Sequence, residues 1–226
     1  NEEIYELVWG CNPYIKGIKE GRRNAGDIPE IDFVNPNGYT SCITNWEELH
    51  GLKPTNKYPK IYYQPKKIDG FEEVMMVDLS SVSLKHGSNT NVYPPPYDPE
   101  VVKELYNNIK KEHPGKIFAQ VNFTNTISEE TGDNRTGGKL NVMDVETSTG
   151  VLVNNIFTYC DLMNSCYGII GLYSGQSALS SAIMEYNPSL KSYCIVSSAV
   201  YEKHKQQSGF IFDNVEYIVI QDKNVQ

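Results

Sequence analysis

Residues 168–183 read GIIGLYSGQSALSSAI. The first six, Gly168 to Tyr173, form an apolar run bounded by polar residues, the pattern of a short buried strand. Ser174-Gly175-Gln176-Ser177 interrupts the run. Ala178, Leu179, Ala182 and Ile183 then return at helical spacing, so a helix opens where the strand stops. Outward from this junction the alternation repeats. Residues 155–167 carry Ile156, Tyr159 or Cys160, Met163 and Cys166 or Tyr167 on one stripe and predict a helix. Residues 192–196 and 215–220 predict strands, with a short polar helix near 201–207 between them. Upstream, VMMVDL (74–79) predicts a buried strand and 80–99 a loop rich in Ser, Asn, Gly and Pro. Residues 99–113 place Val101, Val102, Leu105 and Ile109 on one helical face. Asp98 is the expected cap, Pro99 the first helical residue and Pro114-Gly115 the stop. Residues 117–123 predict a second strand, 124–139 a polar loop and 140–145 a third strand. Strand and helix in alternation imply parallel strands joined by helical crossovers, a doubly wound α/β sheet.

Before residue 70 the pattern is weaker. Residues 1–30 predict a short strand or helix, the turn Asn12-Pro13, and a polar stretch holding Arg22, Arg23 and Asp27. TNWEELHG (44–51) predicts a short helix with Glu47 and Glu48 in its first turn. Pro54, Pro59 and Pro65 punctuate an extended connector over 57–67.

Composition narrows the function classes. The chain has 226 residues, 39% hydrophobic and 21% charged, enough for a real core and unlike a disordered chain. Its net charge of −8 argues against a broad nucleic-acid surface. No run approaches the roughly 18–20 apolar residues of a membrane helix. The first residues lack the basic segment and apolar core of a signal peptide. The five cysteines, Cys11, Cys42, Cys160, Cys166 and Cys194, have no metal-site spacing and read as buried free thiols of a cytoplasmic protein. The four histidines are scattered. Neither they nor the carboxylates form a metal motif, so no metal or cofactor is expected.

Two places carry chemistry. At Ser174-Gly175-Gln176-Ser177 a helix N-terminus offers N–H groups and the positive end of a dipole, Gly175 admits a ligand close to the backbone, and the serines add hydroxyls. That suits a phosphate or diphosphate beyond the carboxyl end of a strand. After the strand at 74–79, Ser80, Ser81, Ser83 and Lys85 also suit an anion. Glu146 is an acceptor available to a ribose or a surface charge. A serine-hydrolase reading needs G-x-S-x-G, and around Ser177 the last Gly is missing. No Asp lies between Ser177 and His204.

The runs YELVWGCNPYIKGI (5–18), NWE (45–47), PKIYY (59–63) and the stretch 151–183 resemble the lipopolysaccharide heptosyltransferase-like glycosyltransferases. The resemblance implies a GT-B architecture. Residues 1–66 would be a partial N-terminal, acceptor-side region and linker, and 67–226 a Rossmann-like domain binding a nucleotide sugar. It implies metal-independent transfer of a sugar from a nucleotide-diphosphate donor to a carbohydrate or glycolipid acceptor. Ser174 and Gly175 would hold the diphosphate with Gln176 and Ser177 beside it, and Ser80, Ser81 and Lys85 would contact phosphate. Two positions depart from the family: its acidic residue before the Ser/Thr-Gly pair is Tyr173 here, and its histidine in the following helical turn is absent. The family's first strands, with its general base, would precede residue 1, so no catalytic residue is assigned. The alternative is a non-catalytic nucleotide-binding or interaction module of the same fold.

Overall fold

The computed structural model describes residues 2–14, 53, 56–81, 97–123, 141–142, 145–205 and 210–221. The helix expected at 44–51, the loop at 124–139, Cys42 and Lys85 lie outside the described residues.

The strands, in chain order, are β1 (Val74–Asp78), β2 (Ser80–Ser81), β3 (Ile117–Phe123), β4 (Asn141–Val142), β5 (Thr149–Val153), β6 (Gly168–Leu172), β7 (Lys191–Ser197) and β8 (Glu216–Ile220). All but β2 and β4 join in one parallel sheet of order β5-β3-β1-β6-β7-β8. Renumbered within that sheet, the order is 3-2-1-4-5-6, that of the doubly wound Rossmann fold. Its direction reverses between β1 and β6, which pair Met75 with Gly168 and Asp78 with Gly171.

The helices are α1 (Glu2–Tyr5), continued by a π-turn over Glu6–Gly10, then α2 (Pro99–Glu112), α3 (Ile156–Ser165), α4 (Gly175–Ile183) and α5 (Ser198–Lys203). Short polar side chains start them as capping physics requires. The Asp98 carboxylate accepts from Glu100 N–H, Asn155 from Thr158 N–H, and Ser174 from Gln176 N–H. Pro99 occupies the first turn of α2, where a missing N–H costs nothing. The Glu3 carboxylate of α1 takes the first N–H of α3, that of Ile156, at 3.1 Å.

Both faces of the sheet are covered. Val74, Met76, Ala119, Val121 and Ile169 pack with Tyr159, Leu162 and Met163 of α3 on one face. Met75, Val77, Phe118, Ile170 and Leu172 pack with Val102, Tyr106 and Ile109 of α2 on the other. Alternate strand residues therefore enter opposite cores, which is why β1 and β6 are apolar without alternation. Each of the buried Val, Leu, Ile, Met and Phe side chains contributes about 1.5–3 kcal/mol by leaving water. Cys11, Cys160, Cys166 and Cys194 are free thiols. Burial pushes Cys160 and Cys166 up to about 12, so they stay protonated and inert.

The connector at 57–67 has neither helix nor strand, as its prolines predict, but it is docked. The Tyr63 hydroxyl and Lys66 N–H donate to Asp161 of α3, each at 2.8 Å, and Ile68 N–H donates to the Ser165 hydroxyl at 2.8 Å.

Two expectations are corrected. Among the described residues, the strand expected at 140–145 is Asn141–Val142, which pairs antiparallel with Ser80–Ser81 outside the main sheet. The third strand of the main sheet is Thr149–Val153, which the sequence hides because it is an edge strand, largely exposed and interrupted by Gly150. The helix expected near 201–207 begins earlier, at Ser198, because the Ser197 hydroxyl accepts from Val200 N–H. Among the described residues no helix is long and apolar enough to cross a membrane.

Candidate functional site

In an open α/β sheet the crevice beyond the carboxyl ends of the strands, where strand order reverses, is the natural ligand position. Here that point lies between the end of β1 and the end of β6. The first is followed by Leu79-Ser80, the second by Tyr173-Ser174 and the start of α4. The two loops that suited an anion in the sequence therefore leave neighbouring strands at one end of the sheet.

On the β6 side, Ser174 and Gly175 are exposed, and a Cβ built on Gly175 meets no atom within 4 Å. The start of α4 is thus open to an incoming group. The Ser174 hydroxyl caps Gln176 N–H at 3.2 Å. Gln176 turns inward and is buried. Ser177 is also buried, and its hydroxyl donates to the Ser174 carbonyl at 2.9 Å. That hydroxyl completes the first turn of α4 and lies on the side of the helix facing Cys194 and Tyr217, away from the crevice. Tyr173 packs against His204 with ring centroids 5.1 Å apart. Burial and the neighbouring Lys203 charge lower the pKa of His204.

On the β1 side, Ser80 donates to Asp78 Oδ1. Tyr159 of α3 donates to Asp78 Oδ2 at 2.5 Å. Asp78 is only 6% exposed. Burial raises its pKa, and the hydrogen bonds from the Ser80 and Tyr159 side chains and the Ser80 backbone oppose that rise. Tyr159 is pushed well above the ordinary phenol range, by burial first and then by the Asp78 charge. Ser81 follows in β2, opposite Asn141. Tyr97 closes the other face: it is buried against the Leu172 cluster with its hydroxyl beside the Tyr173 backbone, and burial raises its pKa.

The structure therefore brings Ser80 and the Ser174-Gly175-Gln176 turn to one crevice, and directs the Ser177 hydroxyl away from it. Glu146 stands apart, its side chain 91% exposed and 3.6 Å from Lys110 Nζ. His113 sits between the hydroxyls of Tyr193 (2.8 Å) and Tyr167 (3.2 Å), near the amino ends of the strands. The sequence pattern gives no site role to Asp78, Tyr159 or Gly171. The available signal was Asp78 itself, a lone carboxylate ending an apolar run. A separate groove of about 480 Å³ lies at the far end of α4, between the connector at Lys57–Lys60 and Ser181, Glu185 and Asn214. Among the described residues no cluster of His, Cys, Asp and Glu is arranged to hold a metal ion.

In comparisons with protein-family models, curated proteins and solved structures, nothing matches this chain.

Proposed function

We propose that this chain binds a nucleotide-diphosphate sugar at the crevice between β1 and β6 and acts as the donor-binding part of a glycosyltransferase. The observation that supports the reading is the 3-2-1-4-5-6 strand order, with the open Ser174-Gly175 start of α4 at the reversal point. Backbone N–H groups and the dipole of α4 favour the diphosphate there. Because those donors are fixed before the reaction, they stabilise the charge that grows on a leaving nucleoside diphosphate. Ser80 and Ser81 stand at the neighbouring strand end, and the sequence resemblance adds Lys85 to the phosphate contacts.

The test is a thermal-shift and calorimetric titration of the full chain with UDP-glucose, ADP-glucose and other nucleotide sugars, in the presence of EDTA. A ligand bound only by the folded state raises the melting temperature as its concentration passes Kd. The expected result is saturable binding of at least one donor without metal, weakened in Lys85→Ala. Absence of binding across the panel overturns the reading. Donor hydrolysis or transfer in the same samples separates an enzyme from a module that binds without turnover.

A further inference from the structure

Gln176, the second residue of α4, is only 7% exposed, yet neither its Nε2 nor its Oε1 has a hydrogen-bond partner among the described residues. A buried polar group left unpaired costs roughly 1–3 kcal/mol, and native proteins keep few of them. The placement of this one is specific. A Cβ built on Gly171 would stand 2.4 Å from Gln176 Oε1 and 3.5 Å from the Asp78 carbonyl oxygen. The carboxamide therefore lies over the bare backbone of β6, beside the strand end that carries Asp78. Gly171 makes room for it, and it is turned toward the point where strand order reverses.

A carboxamide presents a donor and an acceptor side by side. A diphosphate presents acceptors only, so it would satisfy Nε2 and leave Oε1 facing another negative oxygen. The phosphate belongs at the exposed N–H groups around Gly175. The group that meets Gln176, one residue further in, must both donate and accept. It must also be joined closely to the phosphate. A ring bearing two adjacent hydroxyls meets both conditions, since one hydroxyl donates to Oε1 while the other accepts from Nε2. We propose that the Gln176 carboxamide reads a vicinal diol on the sugar ring attached to the diphosphate, either the ribose or the transferred sugar. The proposal rests on the nucleotide-sugar reading above.

The experiment measures affinities of the full chain for UDP and ADP, their 2′,3′-dideoxy counterparts, UDP-glucose and ADP-glucose, in wild type and Gln176→Leu. Removing an unpaired buried amide leaves Gln176→Leu at least as stable as wild type. Gln176→Met, of similar length, repeats the test should the branched side chain fit poorly. If the ribose is read, wild type prefers the ribo- over the dideoxynucleotide by roughly ten- to a hundredfold, the worth of two hydrogen bonds, and Gln176→Leu loses that preference. If the transferred sugar is read, wild type treats ribo- and dideoxynucleotides alike, prefers the glucose conjugates, and Gln176→Leu loses that preference instead. Variants that bind every probe as wild type does, or lose affinity equally for the diol-free probes, overturn the diol assignment alone. Failure of wild type to bind any probe overturns the nucleotide-sugar reading and this assignment with it.

Discussion

Asp78 is the residue on which the β1 side of the crevice turns. Its two oxygens are occupied by Ser80 and Tyr159, so it fixes the first residue of β2 and ties α3 to the strand end. No cation pairs with it among the described residues, and burial is the dominant influence on its pKa, which is raised. The folded state therefore holds the proton more tightly than the unfolded chain. The stability contributed by this group is complete below the ordinary carboxylate pKa and is lost as pH rises through the raised folded value. Asp78→Asn keeps one acceptor and gains one donor, so both hydroxyls can reorient to it, and it removes the titration. The expected outcome is that the urea midpoint of Asp78→Asn, relative to wild type, improves as pH rises above the ordinary carboxylate pKa and levels off once Asp78 is ionised in the folded wild type. A difference that shrinks as pH rises would show instead that the fold stabilises the carboxylate.

At the scale of elements, α4 has two duties that one residue combines. Ser174 caps the helix, and its exposed hydroxyl stands where the diphosphate is proposed to bind. The two duties separate on substitution. Ser174→Ala loses the cap and costs about 1 kcal/mol of stability. Ser174→Asp caps as well as serine and suits the helix dipole, so its melting temperature stays at or above wild type. It also sets a carboxylate against the bound diphosphate, so nucleotide binding falls by at least tenfold, measured by calorimetry. Retained binding in Ser174→Asp would remove the diphosphate from the start of α4. The caps were legible because a short polar side chain between an apolar run and a helical stripe has one main use. Thr149–Val153 was not, because an edge strand with one face in water needs neither an apolar run nor strict alternation. The site was legible only on its β6 side. Its other half depends on β1 lying next to β6, which strand-by-strand reading does not reveal, and on the inward turn of Gln176, which depends on Gly171.

At the scale of the whole molecule, β6 lies at the middle of the sheet, and its two glycines divide fold from function. A Cβ on Gly168 would stand 2.7 Å from the Lys191 carbonyl oxygen and 2.8 Å from Met75 Sδ. The first of these is backbone of the neighbouring strand β7 and cannot move without parting the sheet. Gly168→Ala is therefore expected to cost roughly 1–3 kcal/mol, as overpacking does. It should lower the urea midpoint with little change in slope, while the folded fraction binds ligand as wild type does. A Cβ on Gly171 meets the far end of the Gln176 side chain, which can swing aside. Gly171→Ala is expected to be the milder lesion in stability and the more severe in binding, because the displaced carboxamide no longer faces the crevice. Measuring urea midpoints and nucleotide affinities for the two variants side by side checks this. If Gly171→Ala binds the diol-bearing probes as wild type does, the position of the Gln176 amide has no bearing on ligand recognition. If Gly168→Ala weakens binding at unchanged stability, the crevice responds to strand spacing across the sheet centre and is not set by the α4 junction alone.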